Sequence, residues 1–275
     1  MLINDLKRAV FGTPMLLSVG VGIISIAVGM IVVPIIAAIG LYYDDAPDIT
    51  DVQKWELIYN CLNKATLWVF GNVYYFPVIP LMCSIPFSIA YIRDLESGYN
   101  RLQIIRTSYR KYLLSKYFAT FSSGFLAVMV VCLVNLSLIM LVSQGDEYRS
   151  IFFDGAFLGD LARSHFHLFV LCHGAIVALL GGVYAIMGLT AAKISKNILV
   201  GLAFPFLFHN FLDYVTSTGN LYRMSPSAVT TFYMYMESEI VIHPIDIIGQ
   251  LSVLLLIVTL GFVLRTYWSN NDEYV

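Results

Sequence analysis

The sequence predicts an all-α polytopic membrane protein with six transmembrane helices, and three observations carry that prediction. Of 275 residues, 59% are hydrophobic and 12% are charged, against about 25% charged in ordinary soluble domains. The apolar residues are gathered into six long blocks rather than spread along the chain. Most charged residues lie between those blocks, and successive connections alternate between basic and acidic. A net charge of −2 leaves no polybasic signature for nucleic acid.

The chain reads as a single transmembrane domain over 1–275. Residues 1–12 are expected to form an interfacial helix. Leu2, Ile3, Leu6, Ala9 and Val10 share one face and Asn4, Asp5, Lys7 and Arg8 the other, a pattern that lies along a membrane surface. Gly12-Thr13-Pro14 supplies a bend into the first span. Lys7 and Arg8 before an apolar run resemble a signal peptide, but the run is too long for one. A spanning helix needs about 20 mostly apolar residues. The blocks at Pro14–Tyr43, Val69–Ile92, Leu113–Val142, His165–Ala192, Ile198–Leu212 and Ile245–Leu264 meet or approach that length. The fifth is the shortest and contains Pro205.

Charge sets the orientation. Lys7, Arg8, Arg93, Arg101, Arg106, Arg110, Lys111, Lys116, Lys193, Lys196 and Arg265 fall on one side, which is 11 of the 16 basic residues. The other side holds 13 of the 18 acids, Asp44, Asp45, Asp48, Asp51, Glu56 and Asp146 among them. Basic residues stay in the cytoplasm, so both termini are expected there. The outer segments are then 44–68, 143–164 and 213–244. Of the four cysteines, Cys83, Cys132 and Cys172 fall inside apolar blocks. Cys61 has no obvious extracellular partner, so no structural disulfide is expected.

The inner connection between spans two and three, from Arg93 to Lys116, holds the most chemistry. Leu102, Ile105, Tyr109, Tyr112 and Leu113 recur at helical spacing as one apolar stripe. Arg106, Arg110 and Lys111 lie beside or opposite it, and Gly98 is a natural place for the incoming helix to stop. A basic amphipathic helix in that position can seat its apolar face in a groove of a cytosolic partner. The plain alternative is a loop held inside by its arginines.

Glu96 after span two, Gly98, a short helix near 101–112 and Lys116 opening span three resemble the permease subunits of ABC-2-type exporters. The six-span layout, the interfacial helix and the long segment before span six resemble them too. The resemblance implies that Glu96, Gly98, Arg101, Leu102, Ile105, Arg106 and Tyr109 form a cytoplasmic coupling helix that engages an ATPase. It also implies short re-entrant helices before span six, for which Ser225-Pro226 and Ala228–Met236 are candidates. It implies a bacterial plasma-membrane location, two ABC ATPase subunits holding ATP and Mg, and a second permease chain, identical or different. Thr107-Ser108-Tyr109 departs from the Ser-Pro pair of many family members. No G-x-x-x-x-G-K-[ST] phosphate loop occurs, so the ATPase belongs to a partner and no catalytic residue is assigned here. The expected cargo is amphipathic or hydrophobic: a peptide, an antibiotic or a lipid-like molecule. The aromatic-rich outer segments, with Phe152, Phe153, Phe157, Tyr222, Phe232, Tyr233 and Tyr235, point the same way.

Other constellations are weaker. Gly174, Ala178 and Gly182 repeat every four residues, with Gly181 and Ala185 beside them. Such rows let helices approach closely in lipid, more often within one chain than between two. Pro77, Pro80 and Pro86 in span two read as a hinge or as a static kink. Asn135, His209 and Asn210 are candidate pathway residues, since polar groups inside spans line passages or bond between helices. His165, His167 and His173 do not share a face, so no metal site is assigned. Two further readings stand beside the exporter. A non-transporting immunity or sensor protein that binds a peptide would share these features. An intramembrane enzyme would need a Glu-Glu pair, H-E-x-x-H or G-x-S-x-G, none of which lies in a span.

Overall fold

A computed structural model describes residues 2–43, 50, 53, 62–143, 153, 156–219, 221–231 and 242–268. Among these, every regular element is helical. The elements are α1 (Leu2–Phe11), α2 (Thr13–Tyr43), α3 (Lys64–Val73), α4 (Tyr75–Glu96), α5 (Tyr99–Arg106) and α6 (Tyr109–Val142). They continue with α7 (Gly159–Ser164), α8 (Phe166–Ser195), α9 (Ile198–Thr218), a 3-10 turn at Tyr222–Met224, α10 (Pro226–Thr231) and α11 (Pro244–Trp268). Six of them, α2, α4, α6, α8, α9 and α11, are long and apolar enough to cross a membrane.

The six are not equivalent. In the most apolar stretches of α4 and α8, 69% and 72% of residues are buried, against 17% to 33% in the other four. α4 and α8 are therefore the central pair, and the other spans turn large apolar side chains outward. Leu16, Leu141, Leu199, Phe211, Ile245 and Leu256 are all exposed. A soluble protein does not present so continuous an apolar surface; a membrane solvates it. The chain is membrane-embedded.

Small residues set the spacing at the centre. A Cβ added at Gly124 of α6 would come within 2.6 Å of the Gly181 carbonyl oxygen and of the Ala185 Cβ on α8. One added at Gly182 would meet the Phe121 ring at 2.6 Å. The small-residue row thus packs within the chain, α8 against α6.

Three boundaries differ from the sequence reading. The block read as span two from Val69 is two helices, parted at Tyr74. Pro77 explains the break, because its ring would strike the carbonyl of Val73 in a continuous helix. The segment from Lys64, read as loop, is instead α3, with Ala65, Leu67 and Trp68 buried in the bundle. Span five runs past Leu212 to Thr218, carrying Asp213 inside the helix.

Pro80 and Pro86 lie within α4. Pro86 has no N–H to give the Met82 carbonyl four residues back, and the Ser18 hydroxyl of α2 donates to that oxygen at 2.9 Å. The neighbouring helix supplies the bond that proline removes, as burial in lipid requires.

Candidate coupling site

The charged end of the bundle is built from four segments. α1 stops at Phe11, and Met15 N–H donates to the Gly12 carbonyl at 3.0 Å as the chain turns into α2. A Cβ at Gly12 would lie 2.5 Å from the Arg8 carbonyl oxygen, so the turn needs glycine. Pro14 in the first turn of α2 suits a helix start. The turn folds α1 back against α6.

One residue of the polar face of α1, Asp5, turns inward. Asp5 and Ala9 are its buried residues, while Leu2, Ile3 and Phe11 are exposed. Asp5 is drawn inward because a cation waits there. The Lys116 ammonium lies 3.1 Å from Asp5 Oδ1 and 3.1 Å from Asp94 Oδ2. Ser115 Oγ donates to Asp5 Oδ2 at 2.6 Å. Arg8 closes the cluster with paired bonds to Asp94, Nη1 to Oδ2 at 3.0 Å and Nη2 to Oδ1 at 2.6 Å. The hydrogen bonds that Arg8 donates to Asp94 raise the pKa of its guanidinium above the usual value.

Two carboxyls and two cations thus balance formally, and three of the four are almost sealed from solvent. Asp5 and Lys116 side chains are 1% exposed, Asp94 5% and Arg8 43%. Aromatic faces complete the lining. Lys116 Nζ lies 5.4 Å from the Phe87 ring centroid and 5.5 Å from that of Tyr112, and Arg8 lies over Tyr99 at 5.2 Å. The cluster joins α1, α4, α5 and α6 at one point. Burying charges costs several kcal/mol each before pairing returns it, so this joint contributes fixed geometry more than net stability.

α5 projects beside the joint. Gly98 adopts φ 68°, ψ 7°, a left-handed conformation that ends α4 and starts α5 with no Cβ to strain. α5 ends at Arg106, Thr107 is extended, and Ser108 precedes α6. The helix expected over 101–112 is therefore interrupted, and its stripe is divided. Leu102 and Ile105 on α5 are 56% and 80% exposed, whereas Tyr112 on α6 is fully buried. Tyr109 is half-buried and stacks with Tyr112 at 6.3 Å. Glu96, Arg101 and Arg106 are exposed. Asn100 of α5 is buried with neither side-chain polar atom hydrogen-bonded. Of the candidate coupling residues, Gly98 shapes the turn, Leu102 and Ile105 form an outward face, and Tyr109 belongs to α6.

The pathway candidates do not converge. Asn135 of α6 is fully buried with both polar atoms lacking a hydrogen-bond partner, beside Gly71 of α3. His209 of α9 is bonded to Tyr184 of α8, with Nδ1 2.6 Å from the phenol oxygen. Asn210 is exposed and donates to the Phe206 carbonyl of its own helix. The histidines separate as well. His173 turns inward, its Nε2 2.9 Å from the Thr230 carbonyl of α10, while His165 and His167 line an open cleft with Lys64 and Arg163. Phe153, read as an outer aromatic, is buried against Phe169 at 5.2 Å. Phe152, Phe232, Tyr233, Tyr235, Cys61 and the remainder of Ala228–Met236 beyond Thr231 lie outside the described residues.

Asp5, Asp94 and Ser115 are the residues that sequence reasoning missed. The signal available was an acid placed among bases at the edge of an apolar block, since such an acid can be buried only with a partner. Searches of protein families, curated proteins and solved structures returned no match to the chain.

Proposed function

We propose that the chain is the transmembrane permease subunit of an ATP-driven exporter of the ABC-2 type. In this reading it lies in a bacterial plasma membrane with both termini cytoplasmic. Two partner ATPase subunits hold ATP and Mg, a second permease chain completes the pathway, and the cargo is an amphipathic or hydrophobic molecule.

The observation that supports this most is the setting of α5. A short helix between two spans exposes Leu102 and Ile105 while standing against a buried ionic joint. Apolar side chains on a surface helix are suited to a groove in a partner. Force applied to α5 would pass through Gly98 into α4 and through Thr107-Ser108 into α6. Asp94 and Lys116 bond those two spans together, and Asp5 carries α1 with them. α4, the central helix that carries Pro80 and Pro86, would then deliver the motion to the bundle. α10, beginning at Pro226 and held to α8 through Thr230 and His173, is compatible with one of the re-entrant helices.

The test is co-purification in mild detergent with a P-loop ATPase subunit. Leu102→Asp and Ile105→Asp are expected to abolish that association, because a carboxylate seated in an apolar groove is strongly disfavoured. Both variants should insert and fold normally, since the two side chains are exposed. Retained association in both variants would reduce α5 to a connector. A chain that binds peptide yet no ATPase would instead be an immunity or sensor protein.

A further inference from the structure

The elbow between α1 and α2 leans on the inner end of α4 and encloses an open cleft of about 430 Å³. Lys7, Arg8, Phe11, Gly12, Pro14, Ala90 and Arg93 line it. Arg8 is already neutralised by its paired bonds to Asp94. Lys7 and Arg93 are exposed, and among the described residues neither forms an ion pair. The formally neutral joint behind the cleft leaves these two charges uncompensated. Beside them Phe11 is 83% exposed, and the first turns of α2 add exposed Leu16 and Leu17.

We infer that this cleft binds the phosphate headgroup of an anionic phospholipid. The charge pattern calls for an anion, and the apolar surroundings decide its source. A free phosphate would gain nothing from Phe11, Leu16 and Leu17, whereas a lipid lays its acyl chains along them while its phosphate stays at headgroup level. A helix parallel to the membrane, joined by a tight turn to a spanning helix, holds its basic residues at that level. Lys7 and Arg93 approach the headgroup from two different elements, α1 and α4. The bound lipid would therefore tie the interfacial helix to span two from outside, as Asp94 ties Arg8 to it from within. This inference rests on the cleft and the membrane setting, so it stands or falls separately from the exporter reading.

The experiment is native mass spectrometry of the full chain in detergent, with equimolar phosphatidylglycerol and phosphatidylcholine of identical acyl chains. The wild type is expected to retain phosphatidylglycerol preferentially. Lys7→Gln with Arg93→Gln should lower the bound ratio by roughly 30-fold, and either single change by roughly 5-fold, as expected for two basic groups near an anionic headgroup. Lys7→Arg with Arg93→Lys keeps the charges and should keep the preference. Lys111→Gln with Lys196→Gln removes as much charge from exposed positions elsewhere and should also keep it. Equal binding of the two lipids by the wild type would overturn the inference, as would an unchanged ratio in both single variants and the double. An equal loss in the Lys111 and Lys196 variant would contradict it too. Displacement of the lipid by millimolar inorganic phosphate would show a free-anion pocket instead of a lipid site.

Discussion

Lys116 holds two carboxylates at 3.1 Å while almost wholly removed from solvent. Removing one partner of such a set leaves the others buried without compensation, which typically costs about 3–5 kcal/mol. Lys116→Met is accordingly expected to destabilise the protein by that amount in detergent unfolding, because Asp5 and Asp94 would both lose their buried cation. Ser115→Ala removes one hydrogen bond to a charged group, a change of roughly 1.5–3 kcal/mol. An effect under about 1 kcal/mol for Lys116→Met would mean that the joint is open to water. Little of this arrangement was legible in the sequence. Lys116 stood out as a lysine at the start of a span, but its partners come from α1 and from the end of α4, distant in the chain. Helical periodicity assigns a residue to a face of its own helix and says nothing about what meets that face. Periodicity puts Asp5 on the polar side of α1, yet it is buried together with Ala9 while Asn4 and Lys7 of that side are exposed.

Among the elements, the spans were legible because lipid imposes a length and a composition on each. Their interruptions were less so. Pro77 divides α3 from α4 at Tyr74, a break hidden by the apolar residues on both sides. Thr107 and Ser108 divide α5 from α6, so a stripe that looked continuous is split into an exposed part and a buried one. The small-residue row of α8, for which the sequence leaves a seam between chains open, packs within the chain against α6. Gly124→Ala would force a methyl to within 2.6 Å of the Gly181 carbonyl and of the Ala185 methyl. Overpacking of this kind typically costs about 1–3 kcal/mol. Gly20→Ala is the matched comparison, since a Cβ there meets nothing within 4 Å; it should be neutral or slightly stabilising. Unfolding midpoints of the two variants in the same detergent measure the difference. Equal midpoints would show that α6 and α8 can separate at no cost.

At the scale of the whole molecule, six spans and a consistent charge alternation predict a sidedness that labelling can read. With the natural cysteines replaced, His167→Cys should react with an impermeant thiol reagent on intact cells. Lys196→Cys should react only after the membrane is opened. Both positions are exposed and lie at opposite ends of α8, so reversed labelling would invert the orientation and remove α5 from the cytoplasm. In the proposed exporter, α5 would receive the force of the partner and α4 would carry the motion inward, with Asp94 and Lys116 holding the two neighbouring spans together. The most direct measurement of that claim is ATP hydrolysis by the partner ATPase in proteoliposomes, with and without this chain. Wild-type chain is expected to change the hydrolysis rate, and Ile105→Asp, correctly inserted, to leave it at the rate of the ATPase alone. A rate altered equally by the wild type and by Ile105→Asp would contradict the account.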